Sequence, residues 1–151
     1  MGGDEEANMK SKLINSNGEK TYVLVFDVGD KVSSGLLNFA KEKKLGACQI
    51  TGIGGFREAV LGYFELDKKS YKKIPVKEQV EVLSLTGDIA LERDEPKIHT
   101  HVVLGTSEGN ALGGHLIEAE VRPTLEVIVK ESPKHLHRVY DISVGLALIR
   151  L

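Results

Sequence analysis

The sequence predicts a single domain of the α/β (α+β) class that is rich in strands and carries one helix. Three observations lead there. A chain of 151 residues suits one compact unit with a core of its own. Alternation of apolar and polar side chains, the period of a half-buried strand, recurs in segment after segment, whereas the helical period occurs in one segment only. No internal repeat, low-complexity tract or change of composition marks a linker.

Charge and cysteine content limit the function classes. With 20 basic and 22 acidic residues the formal net charge is -2, so the whole chain is not attracted to nucleic-acid phosphates or to an anionic membrane, and any basic surface has to be local. A single cysteine, Cys48, excludes an internal disulfide and suits a reducing compartment, and no apolar run reaches bilayer length. A cytoplasmic protein without a membrane partner is the expectation.

Taken in order, the acidic opening MGGDEEANMK lacks the apolar core of a signal peptide, and Glu6 stands where a myristoylation motif requires Ser or Thr. Residues 1–11 are expected to be a disordered lead-in and residues 12–151 the domain. TYVLVFDV (21–28) alternates and is rich in β-branched and aromatic side chains, as a strand requires. In VSSGLLNFAKEKKL (32–45) the period changes. Val32, Leu36, Leu37, Phe39 and Ala40 share one side of a helix of about three turns, with Ser33 or Ser34 as its cap and Gly46 as its end. ACQITGIG (47–54) and AVLGYFEL (59–66) read as strands joined by a turn at GFRE, and KKSYKKIPVKE (68–78) as a polar connection punctuated by Pro75. EQVEVLSLTGDIAL (78–91) alternates for most of its length, with a bend at Gly87 and Asp88. KIHTHVVLG (97–105) and GGHLIEAEV (113–121) form a strand pair around TSEGN, and TLEVIVKE (124–131) and RVYDISVGLALIRL (138–151) close the chain. The run ISVGLALIRL is nearly continuous in apolar residues, as expected of a strand covered on both faces.

Three of the five histidines fall inside the predicted strand pair. His99 and His101, at i and i+2, share one face of a strand. If the hairpin turns about Glu108, His101 lies opposite His115 and all three imidazoles share that face, whereas a bulge at Gly113 or Gly114 would shift the register by one. Those two glycines leave room for another backbone or a ligand beside His115. Three neutral imidazoles with a vacant fourth position are the ligand set of an open zinc site, so the implied cofactor is a divalent metal, zinc first. A small anion would fill the vacant position, and metal-bound water offers hydrolytic or lyase-type chemistry, although no general base is evident nearby. The alternative is a pair of half-exposed strand histidines with ordinary hydrogen bonds.

Other segments carry weaker signals. His135-Leu136-His137 lacks a glycine-flanked third histidine and reads as surface. GIGGFR (52–57) has Arg57 where a dinucleotide loop has its last glycine, which favours a bent strand. Cys48 reads as a small buried hydrophobe. Glu92, Arg93, Asp94 and Glu95 form a solvated turn from which a carboxylate would reach an imidazole only as an orienting group. DKKSYKKIPVK (67–77) is the best local basic segment. Lys68, Lys69, Lys72 and Lys73 are its candidate DNA contacts, the alternative being a solvated lysine-rich turn.

Four motifs in order, ITGIGGFREAVLGYFE (50–65), VEVLSLTGDIAL (80–91), IHTHVVLG followed by GGHL, and TLEVIV, resemble the plants-and-prokaryotes-conserved (PPC or PCC) domain in its free-standing prokaryotic form, from about Tyr22 to Leu151. The resemblance implies a largely antiparallel sheet with few helices, a homotrimer, and a metal site at the matching histidines, His99, His101 and His115. It also implies DNA association, because in plants the same domain follows AT-hook peptides in nuclear proteins. Two departures stand out. The Arg-Gly-Arg-Pro core of an AT-hook is missing, with Arg122-Pro123 the nearest approach, and the plant Gly-Arg-Phe-Glu-Ile-Leu segment is matched only in its second half by Glu78-Gln79-Val80-Glu81-Val82-Leu83. The expected function is a trimeric zinc-binding protein whose three-histidine site binds or transforms a small ligand. A DNA-associated regulatory role without an AT-hook is the alternative.

Overall fold

A computed structural model describes residues 9–132 and 134–151. Among these, nine strands join one sheet and one α-helix packs on it. In chain order they are β1 (Lys10–Asn15), β2 (Thr21–Phe26), α1 (Val32–Lys43), β3 (Ala47–Glu65), β4 (Ser70–Val76), β5 (Val80–Glu92), β6 (Glu95–Gly105), β7 (Ala111–Glu131), β8 (His137–Asp141) and β9 (Leu146–Arg150), with a 3-10 turn at Leu66–Lys68. The sheet order is β1-β2-β7-β3-β5-β8-β9, with β4 on β3 and β6 between β5 and β7. Strand pairs are antiparallel except for a short parallel contact of β5 with β8. The result is the expected single domain with a largely antiparallel sheet and one helix. Residues 1–8 of the expected lead-in lie outside the described residues, and the chain is already paired with β2 from Lys10.

Four strands close on one another, β3 with β5, β5 with β6, β6 with β7 and β7 back to β3. Such closure removes exposed strand edges. It also requires long bent strands, and here several expected turns prove to be strand. GFRE is no turn: β3 runs unbroken for 19 residues, with a register shift against β5 between Gly52 and Gly54 and one against β7 between Gly54 and Phe56. A side chain at Gly54 or Gly55 would collide with the Thr124 or Arg122 carbonyl of β7, so these glycines serve close strand approach, not reversal. The bend expected at Gly87 and Asp88 is likewise absent from continuous β5, and the segments 113–121 and 124–131 belong to one strand, β7. KKSYKKIPVKE is not a connection either, since it supplies β4. Pro75 is tolerated there because β4 pairs on one side only. The closing segment 138–151 is split by a turn into β8 and β9, so the apolar run from Ile142 supplies only the turn and β9. Its turn residue Ile142 is 80% exposed, so the run is not covered on both faces within the chain.

The core lies between α1 and the sheet and inside the closed strands, around Leu24, Phe26, Leu36, Ile50, Phe56 and Leu125. Phe39 of α1 meets Tyr22 of β2 edge-on at 5.2 Å. Cys48 is buried as expected, and its burial pushes the thiol up to about 12.

The ends of α1 are set by tertiary contacts. Neither Ser33 nor Ser34 caps it by side chain; Glu118 of β7 accepts from Ser33 N at 2.7 Å, Ser34 N at 3.1 Å and Ser34 Oγ at 3.0 Å. A carboxylate there satisfies orphan amides and complements the positive end of the helix, a contribution of about 1 kcal/mol. The helix stops before Gly46, with Lys44 left-handed (φ 54) and Leu45 N bonded to Ala40 O. Gly46 instead leaves room for the ring of His135. Among the described residues no helix is long and apolar enough to cross a membrane.

Candidate metal centre

The β6–β7 hairpin turns through Thr106 and Asn110, whose backbones bond at 2.9 Å, with Gly109 at φ 81. Its register pairs His101 with His115, Val102 with Gly114 and Val103 with Gly113, unshifted by a bulge. This is the register expected of a turn centred on Glu108. His99, two residues before His101, falls on the same face. Gly113 and Gly114 are small because backbone passes close by: a side chain would meet Val102 O at the first and Gly62 O at the second.

Each histidine offers one ring nitrogen, and the three nitrogens lie within 4.8 Å of one another. His99 Nε2 and His101 Nε2 are 3.1 Å apart. His101 is exposed, whereas His99 and His115 are half-buried. His115 Nδ1 is buried without a hydrogen-bond partner. A buried nitrogen without a partner and three convergent lone pairs are what a divalent cation satisfies. The donor set therefore fits a zinc-class ion. A cleft of about 270 Å³ opens beside His101, lined by Ser84, Thr86, Val103 and the two glycines.

Electrostatics keep the buried imidazoles neutral, which ligation requires. Burial lowers His115 to about 4, helped by His99 and His101. Burial also lowers His99, with Arg138 next in importance. The sign of the pH dependence follows from linkage. Above about 6.5 His115 is neutral in folded and unfolded chains alike. Between there and about 4 only the unfolded chain takes up the proton, so the metal-free fold loses stability as pH falls through that window.

Three residues around the cluster were not visible in the sequence. Tyr71 of β4 stacks on His115 at 4.4 Å and 21°. It fits there because Gly62, the β3 partner of His115, has no side chain to strike the tyrosine ring. Arg138 of β8, only 8% exposed, brings Nη2 to 3.3 Å from His99 Nδ1 and to 2.7 Å from Asp88 Oδ1, and donates from Nη1 to Ala147 O at 3.1 Å. Asp88 is the cross-strand partner of His99 in β5. The sequence places Asp88 at an expected bend; because β5 instead continues through it, Asp88 shares the face of His99. The carboxylate that shares Arg138 with His99 is thus Asp88, not one from the 92–95 turn. Glu92 pairs with Lys97, and Arg93 and Asp94 make the β5–β6 turn.

The remaining candidates are dispersed. His135 and His137 are exposed. Lys68 pairs with Glu65 at 3.0 Å and Lys69 Nζ donates to Ile142 O at 2.6 Å. Lys72 and Lys73 are successive in β4 and point to opposite faces.

The Plants and Prokaryotes Conserved (PCC) domain matches residues 14–133. Among solved structures, a metal-containing protein from Archaeoglobus fulgidus is 33% identical, with 95% of this chain and 98% of that one covered and a TM-score of 0.80. A plant- and prokaryote-conserved (PPC) protein from Pyrococcus horikoshii is 34% identical over 94% of this chain and 95% of its own, with a TM-score of 0.81. A protein from Bacteroides thetaiotaomicron, described as a candidate DNA-binding protein, is 27% identical over 93% of this chain and 96% of its own, with a TM-score of 0.85. No curated protein matches the chain.

Proposed function

This chain belongs to the Plants and Prokaryotes Conserved domain family, and on that footing we propose that it binds one divalent metal ion, zinc first, through His99, His101 and His115. The observation that carries the reading is the convergence of three ring nitrogens within 4.8 Å. The partnerless Nδ1 of His115 and the metal content of the Archaeoglobus relative support it. When bound, the ion supplies Lewis acidity and lowers the pKa of a coordinated water. The chain's own residues hold the ligands: Tyr71 packs the His115 ring and the Asp88–Arg138 pair backs His99. Three neutral imidazoles leave the cation's charge uncompensated, so a small anionic oxygen ligand is the species favoured at the cleft beside His101. Elemental analysis of untagged protein purified without chelator is expected to find about one zinc-class ion per chain. Protein that is metal-free and takes up no added zinc would overturn the assignment.

Assembly as a homotrimer belongs to the same reading. Its support in the chain is an open sheet face where Val25, Ile53, Leu83 and Ile128, between 39% and 59% exposed, line a cleft of about 600 Å³. Exposed apolar surface of this kind marks association sites. Light scattering at micromolar concentration is expected to give three times the 16.5 kDa chain mass, and a monomer mass would refute the trimer.

The description of the Bacteroides relative raises DNA as the second reading. The charge distribution opposes it: net charge is -2, two of the four candidate lysines are engaged within the chain and the other two face apart. Random duplex is therefore expected to bind more weakly than about 10⁻⁵ M at physiological salt, by fluorescence anisotropy. Tight, salt-dependent binding that vanished on replacing Lys68, Lys69, Lys72 and Lys73 with alanine would make DNA association the function instead.

A further inference from the structure

Resting on the metal reading above, we propose that Asp88 is a positioning residue of the centre. Its carboxylate accepts a hydrogen bond from Nδ1–H of His99 when the metal occupies the Nε2 side, and Arg138, delivered by the C-terminal hairpin β8–β9, holds that carboxylate in place.

The two ring nitrogens of His99 face different partners. Nε2 faces His101 Nε2 at 3.1 Å, so it is the nitrogen turned toward the cluster. Nδ1 faces Arg138 Nη2 at 3.3 Å. A guanidinium has donors only, so this contact is a hydrogen bond only while Nδ1 carries a lone pair and the single proton of neutral His99 sits on Nε2. That arrangement suits the cluster without metal, where Nε2–H donates to His101. It is the wrong one for ligation. A metal at Nε2 needs the lone pair there, which sends the proton to Nδ1 with no net gain or loss, and Nδ1–H then needs an acceptor.

Arg138 cannot accept. Asp88 can: it lies directly across from His99 in the β5–β6 pairing, and its Oδ1 is bonded to the same Nη2 that touches Nδ1. A carboxylate has about four lone-pair sites, enough to serve the guanidinium and the imidazole together. Arg138 also has capacity to stay on Asp88 as the roles change, because its Nε is buried and without a partner. A ligating imidazole commonly donates its other N–H to a carboxylate in this way, which fixes its tautomer and ring orientation. The remote part of the device is the hairpin. β8 pairs with β5 only at Leu91–His137 and Glu92–Arg138, and the buried side chain of Arg138 ties it to Asp88 and to Ala147 O.

The test is zinc affinity by chelator competition in the full chain, read beside the tautomer of His99 by nitrogen-15 NMR of the zinc-loaded protein. Asp88→Ala is expected to weaken zinc by about 10- to 100-fold. Asp88→Asn, whose amide oxygen still accepts, should lose less, and Asp94→Ala in the β5–β6 turn should lose nothing. The wild-type spectrum should place the proton on Nδ1 of His99. Unchanged affinity in folded Asp88→Ala, or a proton on Nε2 in the zinc-loaded wild type, would overturn the proposal. Should Asp88→Ala fail to fold, the Asp88→Asn affinity and the wild-type tautomer decide the matter. Failure of the metal reading looks different, because the wild type itself would then bind no zinc.

Discussion

Replacing Gly87 by alanine is expected to destabilise the fold by about 3 kcal/mol and to strip zinc from the protein, although Gly87 touches no imidazole. Gly87 lies opposite Thr100, between Thr86 and Asp88, the cross-strand partners of His101 and His99. A Cβ there would collide with the backbone carbonyl of His99 and stand 2.8 Å from Thr100 Cα. Backbone cannot swing aside as a flexible side chain does, so the two strands have to separate at the pair that carries His99 and Asp88. Denaturant unfolding and zinc content report the two effects. The matched control is Gly109→Ala in the hairpin turn, where no atom lies within 4 Å and the cost comes from φ 81 alone. That variant is expected to lose about 1–2 kcal/mol and keep its zinc. A wild-type unfolding midpoint in Gly87→Ala would mean that the strand spacing is softer than the close approach requires.

Alanine at His101 should abolish zinc binding and, with it, a stabilisation that exists only in zinc. At free zinc about 100 times its dissociation constant the wild type gains about 2.7 kcal/mol. His101 is exposed, so its own packing contributes little. Mutant and wild type should therefore unfold alike without metal and diverge on adding it, a pattern that separates a lost ligand from a damaged fold. Acid should weaken zinc through proton competition, with the loss displaced below the ordinary imidazole pKa of about 6.5 because burial lowers His99 and takes His115 down to about 4. His135→Ala, on the exposed second histidine pair, should retain the metal. Zinc at wild-type level in His101→Ala would sink the three-histidine assignment.

Much of the architecture was readable because local chemistry repeats at short range. The strand at 21–28 and the helix from Val32 show their own periods, and the His101–His115 register follows from a short turn and a side-chain period of two. Misreadings arose where one residue type serves two purposes. Glycine permits a turn and also permits two backbones to touch, and at Gly54, Gly55 and Gly87 the second use applied. Lysines and a proline read as loop, yet an edge strand paired on one side accepts both, which is how β4 escaped notice. The cap of α1 escaped for a different reason, since Glu118 lies more than 80 residues from the serines it serves.

By itself the sequence determined the fold class, the hairpin and the common face of the three histidines, because each depends on neighbours along the strand or across one short turn. The tertiary structure decided what surrounds them. Tyr71 reaches His115 only because β4 lies on β3 over Gly62, and Arg138 reaches His99 only because the C-terminal hairpin docks beside β5. Those contacts join segments tens of residues apart, and no local period encodes them. They exist once the strands have closed on one another and buried the side chains that face inward.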